Sequence, residues 1–465
     1  MRLFKMAVAV DQHHGFKAFN RSQICKLQSF GHLDPNIVEL NQARTTFSHH
    51  SFEQAAFQAD NIHRSFSTPC LPLTTLSSGE DHLNYHHHPR VEIVSGSGAP
   101  IHALVVEVAI AMASGVNPTP LPSGLGGAYV FRSQSGMNIA VAKPVDEEPL
   151  ALNNPKGLGG QMLGQPGLKK SIRIGETGIR ELAAFLLDHG GLAGVPPTAL
   201  VKFSQAPFFV STINSDDAAK VDPKIASLQR FVGHGFDAGE LGPSFFSVSS
   251  VHNIGILDIR ILNLDRHAGN MLVMKYDNNN SSISSNYVHG VADLVPIDHG
   301  FCLPEWLDDP YFEWLHWPQA SIPFSDSELE YISKLDPFKD AEILRTEIPL
   351  LRECSIRVLI VCTIFLKQAA NAGLCLADIG QMMSRKFCGG EELASEMENI
   401  CLKVKASIPR GSNNESCNCK EVEERSKCET GGISLGDLNQ GEWEVFLEVF
   451  DKILHGVFQE NRCKS

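Results

Sequence analysis

The sequence has little of what marks several large classes of protein. It contains no Lys/Arg-dense run, and its formal net charge is -14, which argues against a nucleic-acid surface and against simple polybasic docking on anionic lipid. No apolar stretch reaches membrane-spanning length, so any membrane contact is local and peripheral. The opening MRLFKMAVAV starts basic, but DQHH cuts its apolar run short of a secretory core. Twelve cysteines lie scattered without a regular framework, a pattern that suits reduced thiols in a cytoplasmic or nuclear compartment better than a disulfide scaffold.

What is present is enough apolar material for a large core: 43% of 465 residues are hydrophobic. Texture divides the chain into three. Residues 1–112 mix Ser, Thr, His and Asn with short apolar patches, hold eleven of the nineteen histidines, and read as a largely irregular, flexible segment in which Ala103 to Met112 alone suggests a helix or strand. His86, His87 and His88 lack the paired cysteines or helical spacing of a metal site. Residues 113–404 alternate strand-like and helix-like pieces and form the candidate folded unit. Residues 405–465 comprise a polar linker and an amphipathic helix carrying Trp443, Phe446, Leu447, Phe450 and Leu454. Cys417, Cys419 and Cys428 have no fourth ligand at a usual spacing and read as free thiols.

The first chemical motif is Ser123-Gly124-Leu125-Gly126-Gly127-Ala128, whose glycines let backbone N–H groups approach a phosphate. The strand after it, Asn138 to Lys143, puts Ile139, Val141 and Lys143 on one face, so Lys143 is placed to reach phosphate oxygens. A helix follows between Gly175 and Gly190, with an apolar stripe of Ile179, Leu182, Ala183 and Leu186. Glu181 lies off the stripe's centre and is the candidate partner of Lys143; Glu176 is the competing choice. A strand from Ile225 to Val232 ends in Gln229-Arg230-Phe231-Val232, where a hinge backbone would pair with adenine.

The strongest signal runs from Leu257 to Met274: a helix, the polar loop Asp265-Arg266-His267-Ala268-Gly269-Asn270, then an apolar strand. Asp265 and Asn270 stand five apart, the spacing of the Asp and Asn in a protein-kinase catalytic loop. A second strand, Val291 to Ile297, delivers Asp298 in Asp298-His299-Gly300 where a metal-binding carboxylate is needed. From Asp298 to Phe324 there is no Lys or Arg, while Glu305, Asp308, Asp309 and Glu313 add negative charge that would repel a polyphosphorylated headgroup. Trp306, Trp314 and Trp317 suit either interfacial anchoring or core packing.

Asp265-Arg266-His267-x-x-Asn270 with Asp298-His299-Gly300 resembles the phosphatidylinositol 3- and 4-kinase superfamily; protein kinases carry His-Arg-Asp and Asp-Phe-Gly instead. Ala142-Lys143-Pro144-Val145-Asp146-Glu147-Glu148-Pro149, Asn153-Asn154-Pro155-Lys156-Gly157 and Asp298-His299-Gly300-Phe301-Cys302-Leu303-Pro304-Glu305 extend the resemblance to the plant phosphatidylinositol 4-kinase gamma group, over roughly residues 120 to 400. It implies an α+β, bilobal kinase-like fold, with an N-lobe sheet over 113–232 and a mainly helical C-lobe over 233–404. It also implies ATP and Mg²⁺ as cofactors and phosphatidylinositol as acceptor. Ser123 to Ala128, Lys143, Glu181, Gln229 to Val232 and Asp298 would form the ATP site, and Asn270 and Asp298 would hold Mg²⁺. Glu148, Pro149 and Leu150 would lie near the substrate. Asp265 or His267 would handle the acceptor proton, and the choice stays open at this point. A Ser/Thr protein acceptor is the alternative. A pseudokinase scaffold is a third reading, against which the intact Lys143, Asp265, Asn270 and Asp298 count. No ubiquitin-like domain is recognisable in residues 1–112, and the cysteine-rich palmitoylation motif of animal type II enzymes is replaced around Asn153 to Gly157.

Overall fold

The computed structural model describes residues 89–208, 223–274, 292–388, 391–408 and 432–462. The first part is built on strand β1 (Arg90–Ser95), helix α1 (Ala99–Ala113), strands β2 (Thr119–Pro120), β3 (Tyr129–Arg132) and β4 (Asn138–Pro144), helix α2 (Thr177–Leu187), and strands β5 (Thr198–Ser204) and β6 (Lys224–Arg230). The strands form one antiparallel sheet in the order β1-β5-β6-β4-β3-β2.

Alternation along each strand sends side chains to opposite faces. Ala140 and Ala142 of β4, Ala226 and Leu228 of β6, and Val201 and Phe203 of β5 pack with Ile101, Leu104, Val105 and Val108 of α1. The intervening positions face α2, whose Ile179, Leu182, Ala183 and Leu187 join the larger core with Leu200. The pairing Lys143↔Ser227 keeps Lys143 on the α2 side, as its strand parity predicts.

The expected boundary at residue 112 falls inside α1, so it needs correcting: Arg90 to Ala113 is a strand and a helix of the main fold. Helix α1 is apolar nearly all round, APIHALVVEVAIAMA, and so lacks the polar and apolar contrast by which a surface helix is recognised. His86 to His88 and Cys417, Cys419 and Cys428 lie outside the described residues.

The second part contains strand β7 (Phe236–Asp237), helix α3 (Val248–Arg260), strands β8 (Met271–Met274) and β9 (Asp293–Pro296), strand β10 (Trp306–Leu307), helices α4 (Asp326–Lys334), α5 (Pro337–Glu347), α6 (Glu353–Asn371) and α7 (Leu376–Met383), strands β11 (Lys386–Cys388) and β12 (Glu391–Leu393), helix α8 (Glu396–Ser407), strand β13 (Ile433–Ser434) and helix α9 (Gln440–Arg462). Strands β7-β8-β9 form a small antiparallel sheet. Helices start on local signals: Ser247 Oγ accepts the Ser250 N–H at α3, and Ser325 with Glu328 forms a capping box at α4. Helix α6 is buried along most of its length, and α3, α4, α5 and α9 pack on it.

Helix α9 folds back on this core through Trp443, Phe446, Phe450 and Leu454, all buried, with Leu447 packed at its edge. Phe446 stacks between Trp443 and Phe450 at centroid distances of 5.4 and 5.7 Å. The Arg357 guanidinium lies 4.9 Å from the Trp443 ring centroid and donates to the Leu435 and Leu438 carbonyls at 2.8 and 2.7 Å. The C-terminal helix is thus part of the core. In chemical denaturation Phe446→Ala should cost about 3–5 kcal/mol, whereas truncating the neighbouring exposed Val445 to Ala should change stability by about 0.5 kcal/mol at most.

Candidate functional site

The Lys143 Nζ lies 2.7 Å from Glu181 Oε1 and 2.9 Å from Asp298 Oδ1. Three distant pieces of chain meet there: β4, α2 and the loop after β9. Burial alone would lower the lysine's pKa, but the carboxylates of Asp298 and Glu181 outweigh it and hold the ammonium well above its ordinary value. Burial alone would likewise raise Asp298, yet Lys143 keeps that carboxyl below its usual range. The other Glu181 oxygen accepts the His299 N–H at 3.2 Å, so the helix also grips the backbone beside Asp298. Glu176, the competing partner, pairs with Arg180 at 2.9 Å and Arg352 at 3.0 Å instead.

The polar loop is organised by a fully buried ion pair. Arg266 Nε reaches both Asp258 oxygens, at 3.1 and 3.0 Å, and its Nη1 donates to the carbonyls of Asn270 at 2.7 Å and Ile297 at 2.8 Å. Asp258 also accepts from Asn263 Nδ2 at 2.9 Å and from Trp314 Nε1 at 3.0 Å. Within the loop, Asn270 Nδ2 donates to the Asp265 carbonyl at 2.9 Å, and the Ile297 N–H donates to the Asn270 carbonyl at 3.0 Å. Asp265, Asn270 and Asp298 are thereby brought together by backbone pairing between the ends of β8 and β9. Leu262, Asp298 and Leu303 have φ of 43°, 55° and 49°, conformations that cost energy and persist only where surroundings dictate them.

Asp265 is half-buried, and burial pushes its carboxyl above the ordinary value against the opposing charge of Lys169. His267 is exposed, and its Nδ1 accepts the Gly269 N–H at 3.1 Å. A neutral imidazole that accepts at Nδ1 carries its proton on Nε2.

The glycine loop, Ser123 to Ala128, lies between β2 and β3, with Gly124 at φ 81°. Gly127 serves close packing: a Cβ there would meet Glu147 Oε2 at 2.1 Å, and its N–H donates to the Glu147 carbonyl at 2.8 Å. The buried Glu147 accepts from Tyr129 at 2.6 Å and from Lys224. At least part of this glycine requirement is therefore internal packing. Beyond it, Arg230 and Phe231 donate their N–H groups to the Pro197 and Ile139 carbonyls at 2.9 and 3.0 Å. Gln229 donates to Thr198 Oγ1 at 2.9 Å and Arg230 pairs with Glu107 at 2.6 Å. Val232 lies past the end of β6.

The expected substrate segment makes contacts within the fold. Glu148 accepts from the N–H groups of Gly175 and Thr177 at 2.6 and 3.0 Å and from Thr177 Oγ1 at 2.5 Å, capping the start of α2. Pro149 packs against Gly126, and Leu150 turns the chain at φ 70°. Trp314 and Trp317 are buried and so are not interfacial anchors, while the half-buried Trp306 packs on Gly432. Glu305 is matched by Arg173 at 2.6 Å and Arg352 at 2.9 Å, so its segment is less repulsive than composition alone indicates. Asp258, Arg266, Glu147 and Lys224 were missed as organising residues. Asp258 had a signal, as a lone acid inside an apolar helix. The pairing of Glu147 with Lys224 had none, because the partners are separated by 77 positions.

Comparison with known proteins adds an independent observation. Residues 124–379 match the family described as phosphatidylinositol 3- and 4-kinase. The chain is 59% identical over 406 residues to phosphatidylinositol 4-kinase gamma 1 of Arabidopsis thaliana, covering 87% of this chain and 69% of that protein. It is 57% identical over 429 residues to phosphatidylinositol 4-kinase gamma 8 of the same plant, covering 91% and 77%. To phosphatidylinositol 4-kinase gamma 4 of Oryza sativa subsp. japonica it is 38% identical, covering 70% and 56%.

The Glu148 clamp predicts a titration in stability. Burial raises its carboxyl to about 7 despite the donors of Thr177 and Gly175, so the folded state binds the proton more tightly than the unfolded chain. Stability from this group is full below about pH 4.5 and is lost as pH rises through 7, by roughly 3 kcal/mol in total. Denaturant titrations from pH 4.5 to 7.5 should show a steeper loss in the wild type than in Glu148→Gln, which keeps the contribution of Asp309, itself raised to about 6 by burial; parallel profiles would contradict it.

Proposed function

The chain belongs to the phosphatidylinositol 3- and 4-kinase family, and from that premise we propose that it transfers the γ-phosphoryl group of ATP to the 4-hydroxyl of phosphatidylinositol. The observation that carries this reading is the joint placement of Lys143 between Glu181 and Asp298, beside a loop that presents Asp265 and Asn270. The curated relatives are named for the same activity. The catalytic unit in this reading runs from Arg90 through α8, with α9 as a structural strap.

Phosphoryl transfer asks a protein chiefly for positioning and charge stabilisation. Lys143 holds the α- and β-phosphates, and Glu181 holds Lys143 in place. The glycine loop covers the phosphates from above, and the segment Gln229 to Val232 borders the adenine. Asn270 and Asp298 provide hard oxygen donors suited to a divalent cation, which supplies neutralisation of the β- and γ-phosphate charge when bound. Asp298, kept ionised by Lys143, fits that task.

Asp265 is the group that takes the acceptor hydroxyl's proton in this account. His267, with Nδ1 occupied by the Gly269 N–H, presents Nε2–H and acts as a donor toward phosphoryl or leaving oxygen rather than as a base. A carboxylate raised by burial is a better base than an exposed one.

The test is radiolabel transfer from Mg²⁺-ATP with phosphatidylinositol micelles and a generic Ser/Thr protein offered in parallel. Label should enter the lipid, and Asp265→Ala should lower the rate by about 10²–10⁴-fold while a fluorescent ATP analogue still binds. Label confined to protein, or normal turnover by Asp265→Ala, would contradict the proposal.

A further inference from the structure

Helix α2 carries Glu181, and both of its ends are fastened to the second part of the fold. At the far end the Leu187 carbonyl accepts from Arg260 Nη1 at 2.8 Å. His189, just past the helix, meets Asp340 Oδ1 at 2.6 Å, and the other oxygen of that carboxylate takes Arg260 Nη2 at 2.8 Å. The pair of Arg260 and Asp340 is buried and joins α3 to α5. The near end is fastened by one arginine at the surface.

Arg352 stands just before α6, and Glu176 just before α2. Arg352 Nε and Nη2 donate to Glu176 Oε1 at 3.1 and 3.0 Å. The same Nε lies 2.9 Å from Glu305 Oε1, in the segment after Asp298. Each acid has a second cation, Arg180 at 2.9 Å for Glu176 and Arg173 at 2.6 Å for Glu305. The side chains of Glu176 and Glu305 are 14% and 10% exposed and that of Arg352 is 42% exposed, so one accessible guanidinium joins two largely desolvated carboxylates. This joint is close to the site. Thr177, beside Glu176, is seated on Gly300, where an added Cβ would meet Thr177 Cβ at 3.0 Å. One turn further along, Glu181 holds Lys143 and the His299 N–H.

We propose that Arg352 is a positioning residue for phosphoryl transfer: by tying the start of α2 to the segment after Asp298, it keeps Glu181, Lys143 and Asp298 in register. It acts through Glu176 and Glu305 rather than on any of the three. Transfer of this kind needs the lysine–glutamate pair and the metal-binding aspartate in place together. Without Arg352, Glu176 and Glu305 would face each other as like charges across the vacated position. A helix still fixed at its far end by α3 and α5 would then shift at its near end, taking Thr177 off Gly300. Misplacement by about 1 Å, even from a change far from the chemistry, can lower a rate about a hundredfold. The purpose of the tie rests on the lipid-kinase reading, whereas the tie itself is a matter of charge and geometry and is measured separately.

The test compares full-length wild type, Arg352→Met, Glu176→Gln and the double variant, with Arg345→Met as control. Arg345 also joins two carboxylates, Glu342 at 2.5 Å and Glu353 at 2.6 Å, but neither lies on α2. In Arg352→Met, amide exchange over residues 175–187 should quicken by about fivefold while exchange from Ile356 along α6 stays at the wild-type rate. With phosphatidylinositol as acceptor, kcat/KM for ATP should fall by about tenfold and KM for the lipid should not move. The double variant should lose no more than the worse single variant, because both remove one tie. Arg352→Lys should return to within about threefold of wild type, and Arg345→Met should match wild type throughout. Wild-type exchange in α2 of Arg352→Met, or losses that multiply in the double variant, overturns the proposal. Wild-type turnover of phosphatidylinositol with α2 exchange unaltered in Arg352→Met sinks the tie alone. Loosened α2 in Arg352→Met beside a wild type that leaves phosphatidylinositol unlabelled upholds the tie and sinks the lipid-kinase assignment.

Discussion

The buried pair of Asp258 and Arg266 is the interaction on which the rest of the site depends. Both side chains are fully shielded from solvent. Burying two charges costs several kcal/mol for each ion, and removing one partner typically costs about 3–5 kcal/mol because the other is left uncompensated. What the pair accomplishes is spatial. Asp258 is fixed near the end of α3 and gathers Asn263, Arg266 and Trp314, while Arg266 reaches the carbonyls of Asn270 and Ile297. The residue before Asp298 and the residue that ends the loop are therefore held by one guanidinium. An arginine is suited to this because its planar fork serves several acceptors at once, which a lysine ammonium cannot match in geometry.

From that anchor the site extends in both directions. Asp298 meets Lys143, Lys143 meets Glu181, and Glu181 returns to the backbone at His299. Helix α2 is set in turn by Glu148 at its start. The segment after Asp298 is tied to the stretch before α2 by Arg173 with Glu305 and by Ser171 with Asp308. The parts assigned to nucleotide and acceptor are thus held from several sides by polar contacts within the fold.

Much of this was legible in the sequence, for reasons of period and spacing. Strand parity put Lys143 on a defined face, the helical stripe put Glu181 beside it, and the loop between helix and strand located Asp265 and Asn270. Other features were hidden. Helix α1 has no amphipathic contrast and follows a polar, histidine-rich stretch, so the start of the fold was placed too late. The three tryptophans after Asp298 read equally as anchors or core, and only tertiary packing decides for core in Trp314 and Trp317. Glu148 was expected near the substrate only through the family resemblance. Nothing local reveals that three donors at the start of α2 would capture it. The tie of Arg352 to Glu176 was invisible for the same reason, since 176 positions separate the two residues.

The proposed reaction is defined by its lipid acceptor and by the hydroxyl that is phosphorylated. The most direct measurement is to let the purified protein phosphorylate phosphatidylinositol with labelled ATP, deacylate the product and separate the glycerophosphoinositol phosphate isomers. The predicted result is label at the inositol 4-position alone. Label at the 3-position, or a lipid fraction that stays unlabelled while protein is phosphorylated, would contradict it.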